Sequence, residues 1–211
     1  KGNLLYGHMY ADLHLRRNKY DEKNYLNYSI KNPSTPRDIT KILKIGNTVW
    51  IASSTKGLFN WDGSSFSWIK PNENFKESFI TELNTDDAGN LLIGSNSGRV
   101  YIAKPLYKSI QITKTYQPEK EIQGTTIYFI EEYGTYLFIG TNKGINVLKN
   151  DTLKLLWNSL NGLNDLQFND CVRDKSNNLW LATNTELYKI NCTEYPLSLR
   201  SEIQIRKIKV N

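Results

Sequence analysis

Apolar residues in this chain arrive in short bursts, each followed by a polar stretch rich in Gly, Asn, Asp and Ser. Five bursts share one pattern: Leu5-Tyr6-Gly7, Val49-Trp50-Ile51-Ala52, Leu91-Leu92-Ile93-Gly94, Leu137-Phe138-Ile139-Gly140 and Leu179-Trp180-Leu181-Ala182. Their closing small residues lie 45, 42, 46 and 42 positions apart. No segment sustains an apolar stripe at i, i+3, i+4, i+7 without Gly, Asn or Pro breaking it, so helices are not expected. Each burst is apolar at nearly every position, as a strand packed on both faces must be.

The flanks of the bursts repeat too. A turn precedes the last four: Ile45-Gly46-Asn47, Asp86-Asp87-Ala88-Gly89-Asn90, Glu132-Tyr133-Gly134 and Asp174-Lys175-Ser176-Asn177-Asn178. Gly, Asn and Asp tolerate the positive φ that tight hairpins require. Shorter apolar strands begin near Ile39, Ile80, Ile127 and Phe168. Third strands follow at Leu58-Phe59, Val100-Tyr101-Ile102, Ile145-Asn146-Val147 and Leu187-Tyr188-Lys189-Ile190. Weaker fourth strands lie at 65–69, 109–115 and 153–157. A strand-rich unit repeating every 40 to 50 or so residues predicts an all-β propeller of about five four-stranded antiparallel blades, as a closed ring or as part of one. The units are 1–38, 39–79, 80–125, 126–167 and 168–200. Residues 1–38 lack a first strand: Leu4 to Gly7 is the core strand and Leu13-His14-Leu15 the third. Residues 201–211 either close the ring by supplying that first strand or begin another domain.

Composition changes little in this picture. The 211 residues are 39% hydrophobic and 12% aromatic, the profile of a globular chain with a substantial core. The net charge of +6 is spread over alternate strand positions, and even Arg206-Lys207-Ile208-Lys209 alternates with apolar residues. That is a wet sheet face, not a nucleic-acid arm. No run of about 18 apolar residues is present, so no membrane insertion is expected. Lys1-Gly2-Asn3-Leu4 does not read as a signal peptide. Cys171 and Cys192 are too few for a disulfide scaffold and are expected to be free and largely buried. His8 and His14 are remote from both, which argues against a metal site and a histidine-based triad. The Gly98 and Gly144 turns join strand to strand, so no phosphate loop forms and no cofactor is expected.

Asp174-Lys175-Ser176-Asn177-Asn178-Leu179-Trp180-Leu181-Ala182-Thr183 resembles the D-x-x-G-N-L-W-I-G-T core of two-component regulator propeller repeats. Thr48 to Ser53, running on to Gly57-Leu58, resembles the same core with its G-L extension. Asn161-Gly162-Leu163-Asn164-Asp165 resembles the linker between such repeats. Leu92 and Phe138 depart from the usual Trp, and Glu186 from the second Gly. Residues 201–211 are also similar to the start of the immunoglobulin-like domain that commonly follows these propellers. The resemblance implies a fragment of the periplasmic sensor region of a bacterial histidine kinase or hybrid two-component system. Many such regions respond to oligosaccharides. Its implied partners are an oligosaccharide ligand, neighbouring domains of the same protein and a second copy in a homodimer.

The repeat motif is structural, so ligand-binding residues must come from the loops. The turns after each core strand converge on one propeller face and carry Lys56, Asn96, Arg99, Asn142, Lys143 and Asn184. That cationic and amide-rich set suits hydroxylated or carboxylated ligands. The expected role is a non-catalytic sensor. An interaction or dimerisation scaffold is the second reading. A five-bladed glycosidase is the third, with Glu82, Glu131 and Asp170 placed around a central channel at equivalent blade positions. Trp50, Phe138 and Trp180 are expected to be buried packing rather than sugar platforms. Trp61, Trp68 and Trp157 are better candidates for exposure, although packing of the outer strands between blades is favoured for them too.

Overall fold

The structure, a computed structural model, describes residues 4–7, 13–16, 25–28, 35–176, 178–192 and 206–208. Three short strands form the N-terminal sheet: β1 (Leu4–Gly7), β2 (Leu13–Arg16) and β3 (Tyr25–Tyr28). Four four-stranded antiparallel sheets follow. They are β4 (Ile39–Ile45), β5 (Thr48–Ser53), β6 (Gly57–Trp61) and β7 (Phe66–Trp68); then β8 (Ile80–Thr85), β9 (Leu91–Ser95), β10 (Val100–Leu106) and β11 (Ser109–Tyr116). Next come β12 (Ile127–Tyr133), β13 (Tyr136–Thr141), β14 (Gly144–Lys149) and β15 (Thr152–Trp157), and last β16 (Phe168–Arg173), β17 (Asn178–Thr183), β18 (Leu187–Asn191) and β19 (Arg206–Ile208).

The number of complete blades is therefore four rather than about five, because the N-terminal sheet has three strands. The terminal segment also takes an unforeseen place. Arg206–Ile208 pairs with Leu187–Lys189 as the fourth strand of the last sheet, not with β1. Its alternating pattern matched β4, yet alternation specifies an edge strand without saying which edge it joins.

Every first strand carries a bulge at one register. The pairing skips a residue between Ile39 and Lys41, Ile80 and Glu82, Ile127 and Phe129, and Phe168 and Asp170. A bulge adds local twist and re-aims the side chain that follows it. Lys41, Glu82, Phe129 and Asp170 therefore occupy one equivalent site, opposite Ala52, Gly94, Gly140 and Ala182. Gly94 is small because the next layer lies on it, and Gly140 because Phe129 of its own sheet does. A Cβ on Gly94 would meet Ile127 Cγ2 at 2.6 Å, and one on Gly7 would meet Ile39 Cγ1 at 2.7 Å.

Apolar clusters form between successive sheets. Trp50, Ala52 and Leu58 pack with Ile80, Leu83 and Ile93. Leu92 and Val100 pack with Ile127, Ile130 and Ile139. Phe129, Phe138 and Val147 pack with Phe168, Leu181 and Tyr188. Trp61 and Trp157 join such layers, whereas Trp68 is 47% exposed. Both cysteines are free, Cys192 buried and Cys171 half-buried. Each connector between sheets also plants one fully buried anchor: Phe75, Ile122 or Leu163. Only the last was legible, through its Gly162-Leu163 pair.

The Asp-x-x-x-Asn turns are held by the carboxylate. Asn90 N donates to Asp86 Oδ1 at 2.7 Å, and Asn178 N to Asp174 Oδ1 at 2.9 Å. Trp180 Nε1 also reaches Asp174 Oδ2 at 2.8 Å. That indole bond and the Asn178 and Ser176 bonds push the Asp174 pKa far down. The family-like motif thus encodes a turn with its own cap, and no binding chemistry.

Candidate functional site

The turns between second and third strands lie against the connectors that precede each first strand. Ser54 N donates to Asp38 O, Asn96 N to Phe79 O, and Thr125 N to Asn142 Oδ1. Asn184 Nδ2 donates to Gln167 Oε1. All four turns and their connectors therefore belong to one face. Within each turn a hydroxyl closes the loop: Ser53 Oγ accepts from Lys56 N, and Thr141 Oγ1 donates to Gly144 O. Ser95 Oγ and Thr183 Oγ1 donate to Arg99 O and Glu186 O in the same way.

The six loop residues read from sequence are thus brought to one face, where most have internal roles. Lys143 Nζ pairs with both oxygens of Glu119 at 2.9 Å. Asn142 caps the 125–126 connector. Lys56 Nζ donates to Thr35 O, and desolvation followed by the nearby Arg37 lowers its pKa. Asn96 is exposed. Lys143 and Arg99 are paired with carboxylates, Glu119 and Glu77, that sequence spacing could not match to them, because those partners lie on separate connectors.

Arg99 opens into a cleft of about 390 Å³, lined by Glu73, Asn74, Lys76, Arg99, Tyr101, Thr115 and Gln117. Its floor is a fixed network. Glu77 Oε1 accepts from Ser97 Oγ at 2.8 Å, Tyr101 Oη at 2.7 Å and Arg99 Nη1 at 3.2 Å. Arg99 Nε donates to Gln117 Oε1 at 3.0 Å. Burial and the Glu77 carboxylate raise the Tyr101 pKa, so its hydroxyl stays protonated and donating. Two edges of the guanidinium are pinned before any ligand arrives. Lys76 and Glu73 stand on the exposed rim. Sequence reading missed Glu73, Lys76, Glu77, Thr115 and Gln117, which come from two connectors and a fourth strand rather than from the repeated turns.

A second constellation lies where the first strands meet. Lys41 Nζ sits 3.2 Å from Glu82 Oε2 and 3.2 Å from Asp170 Oδ1, so those carboxylates are at most twice that distance apart. Asn84 Nδ2 donates to Glu131 Oε1 at 2.8 Å. Glu131 pairs opposite Phe138, two residues beyond Phe129, so it is not at the position equivalent to Glu82 and Asp170 as expected. Glu131 lies four residues beyond Ile127, whereas Glu82 and Asp170 lie two beyond Ile80 and Phe168. Burial pushes the Glu82 pKa up to about 7 against the opposing pull of Lys41, and burial also raises Glu131. Glu82 is 4% exposed. Its Oε2 atom meets Lys41 outside hydrogen-bonding geometry and has no other donor among the described residues.

Among the described residues, no group of three or more His, Cys, Asp or Glu is placed to hold a metal ion, and no helix is long and apolar enough to cross a membrane. No protein family's sequence profile matches this chain, and no curated protein sequence does. Solved structures do share its fold. The extracellular domain of a protein described as a hybrid two-component system, BT4673 from B. thetaiotaomicron, superposes with a TM-score of 0.79 at 15% identity, covering 100% of this chain and 30% of that one. YCF48 bound to D1 peptide gives a TM-score of 0.60 at 13% identity over 85% of this chain and 57% of that one. The WD40 β-propeller domain of Doa1 gives 0.62 at 14% identity over 87% and 58%. The chain is a β-propeller in fold, and it spans less than a third of the two-component extracellular domain it resembles.

Proposed function

We propose that this chain is a ligand-binding part of the extracytoplasmic, periplasmic sensor propeller of a two-component signalling protein. Its likeness to such an extracellular domain supports the setting. The observation that carries a binding role is the polar cleft beside the pinned Arg99. A guanidinium already held in place loses little freedom on binding, and charge-assisted bonds to a carboxylate exceed neutral ones. The ligand class that fits is an oligosaccharide with one carboxylate, its hydroxyls meeting Asn74, Thr115 and Gln117 and its charge meeting Lys76 and Arg99. Of the six loop residues, Arg99 carries this proposal.

Titration calorimetry tests this with a uronic-acid oligosaccharide and its neutral counterpart. Lys76→Ala is expected to cost about 0.5–1.5 kcal/mol for the acidic ligand, since a rim contact is screened. The affinity is expected to fall as salt rises. Equal binding of both ligands, or no effect of Lys76→Ala, removes the cleft from consideration.

The convergence of Glu82 and Asp170 favours a second reading, that of a two-carboxylate hydrolase. Against it, Glu82 lies buried beneath Lys41, where a sugar ring cannot reach its proton. No turnover is expected on a panel of glycans. Hydrolysis that Asp170→Asn abolishes would establish the catalytic reading instead.

A further inference from the structure

Three interfaces between complete sheets repeat one arrangement. The far face of β4–β7 packs under β8–β11, that of β8–β11 under β12–β15, and that of β12–β15 under β16–β19. On each covered face, the second-strand residue Trp50, Leu92 or Phe138 is at most 5% exposed. The third-strand residue Leu58, Val100 or Ile145 is 0% exposed. The small residue Ala52, Gly94 or Gly140 is buried as well.

The last sheet carries the same set on its far face: Trp180, Leu187 and Ala182, with Val172 beside them. Here all three repeated positions are only half-buried, and Val172 is 59% exposed. The near face of this sheet, with Leu179, Leu181 and Tyr188, is sealed against β12–β15. Among the described residues, a sheet built for two-sided packing is thus packed on one side only. An apolar surface of this kind in water marks an interface.

We propose that this face docks a further four-stranded blade of the same polypeptide, whose first strand lays a β-branched or aromatic side chain over Ala182. The series supplies the chemistry of the occupant: Ile39 lies over Gly7 and Ile127 over Gly94, while Ile80 clusters with Ala52. Ala182 continues this series, in which Gly140 differs in being crowded by Phe129 of its own sheet. A blade beyond these residues fits the likeness to an extracellular domain of which the chain covers 30%. Docking in cis also ends the exposure of Trp180, whose ring is otherwise flanked by Lys189 Nζ at 5.3 Å and held through its Nε1 by Asp174. The ligand cleft plays no part in this inference.

The test uses the 211-residue chain and the same chain extended at its C-terminus by a second copy of residues 117–158, which bring a connector and a complete blade beginning at Ile127. Hydroxyl-radical footprinting read by mass spectrometry reports each tryptophan separately. In the parent chain Trp180 should react and Trp50 should not. In the extended chain Trp180 should lose its reactivity to the level of Trp50, and Ala182→Ile should restore it. Ala182→Ile should leave the melting temperature of the parent chain unchanged, whereas Ala52→Ile should lower it. That pair decides the matter even if the extension does not fold. Equal losses from Ala182→Ile and Ala52→Ile, or a parent Trp180 as unreactive as Trp50, would mean that the chain covers this face itself and would overturn the proposal. Self-association of the parent chain that Ala182→Ile abolishes would also overturn it, by making a second copy the occupant.

Discussion

Gly144→Ala should destabilise the protein by at least about 3 kcal/mol, while Gly46→Ala should cost only about 1–2 kcal/mol. Both glycines have positive φ, +125° and +57°, and both end or begin a turn of the repeat. The backbone contribution is therefore unfavourable to alanine at each. The surroundings differ. Around Gly46 a new Cβ meets nothing within 4 Å. At Gly144 it would overlap the backbone carbonyl oxygen of Trp157, and a main-chain atom cannot rotate away as a side chain can. The carbonyl belongs to the end of β15, where the chain turns into the 158–167 connector, so relief requires moving the junction between two sheets. Chemical denaturation of both variants, with unchanged slope, provides the measurement. Similar midpoints for the two would show that the second-to-third-strand turn does not press on the connector.

Much of this fold could be read from the chain because a repeat states its grammar several times. The small residue closing each core strand, the Asp-to-Asn turns and the alternation along first strands each recurred, so chance matches were separable from rules. Recurrence failed where one copy departs from the others. The N-terminal sheet has three strands, as its missing first strand implied, but β19 joins β18 rather than β1, because an amphipathic edge strand fits any edge that offers the right register. The bulge at Lys41, Glu82, Phe129 and Asp170 left no compositional mark, and Glu131 occupies the register of Asn84, one alternation beyond Glu82 and Asp170, where Phe129 takes their place. The site was less legible still. Loop cations could be listed, but their neutralising partners Glu77 and Glu119 lie 22 and 24 residues away on connectors with no repeated pattern. Sequence spacing reports neighbours along a strand. It is silent on which connector folds back over which turn.

Lys41→Met should destabilise the protein in proportion to pH: about 1 kcal/mol at pH 5 and about 2–3 kcal/mol at pH 9. The cause is the buried Glu82 carboxyl beneath it. Burial raises its pKa from 4.5 to about 7, with Lys41 opposing that rise and Asp170 adding to it. Lys41 itself suffers desolvation, which the Glu82 and Asp170 carboxylates outweigh, so its own pKa is raised and it stays charged across this range. An acid raised on folding favours the folded state fully below its unfolded pKa, and that contribution is lost as pH rises through the folded value. The parent protein should therefore lose about 3 kcal/mol of stability from this group between pH 4.5 and pH 7, and little more above it. Without Lys41 the folded pKa climbs further, so the loss continues to higher pH. Below pH 5 Glu82 is neutral in both proteins, and only the Asp170 contact is missing. The double variant Lys41→Met, Glu82→Leu should recover most of the stability at pH 9, because an apolar pair of similar volume carries no buried charge. Urea midpoints from pH 5 to pH 9 for the parent, the single and the double variant measure all three expectations. A Lys41→Met penalty that is flat across pH would mean that Glu82 does not ionise in the folded protein, and the ion pair would then have no part in holding the first strands together.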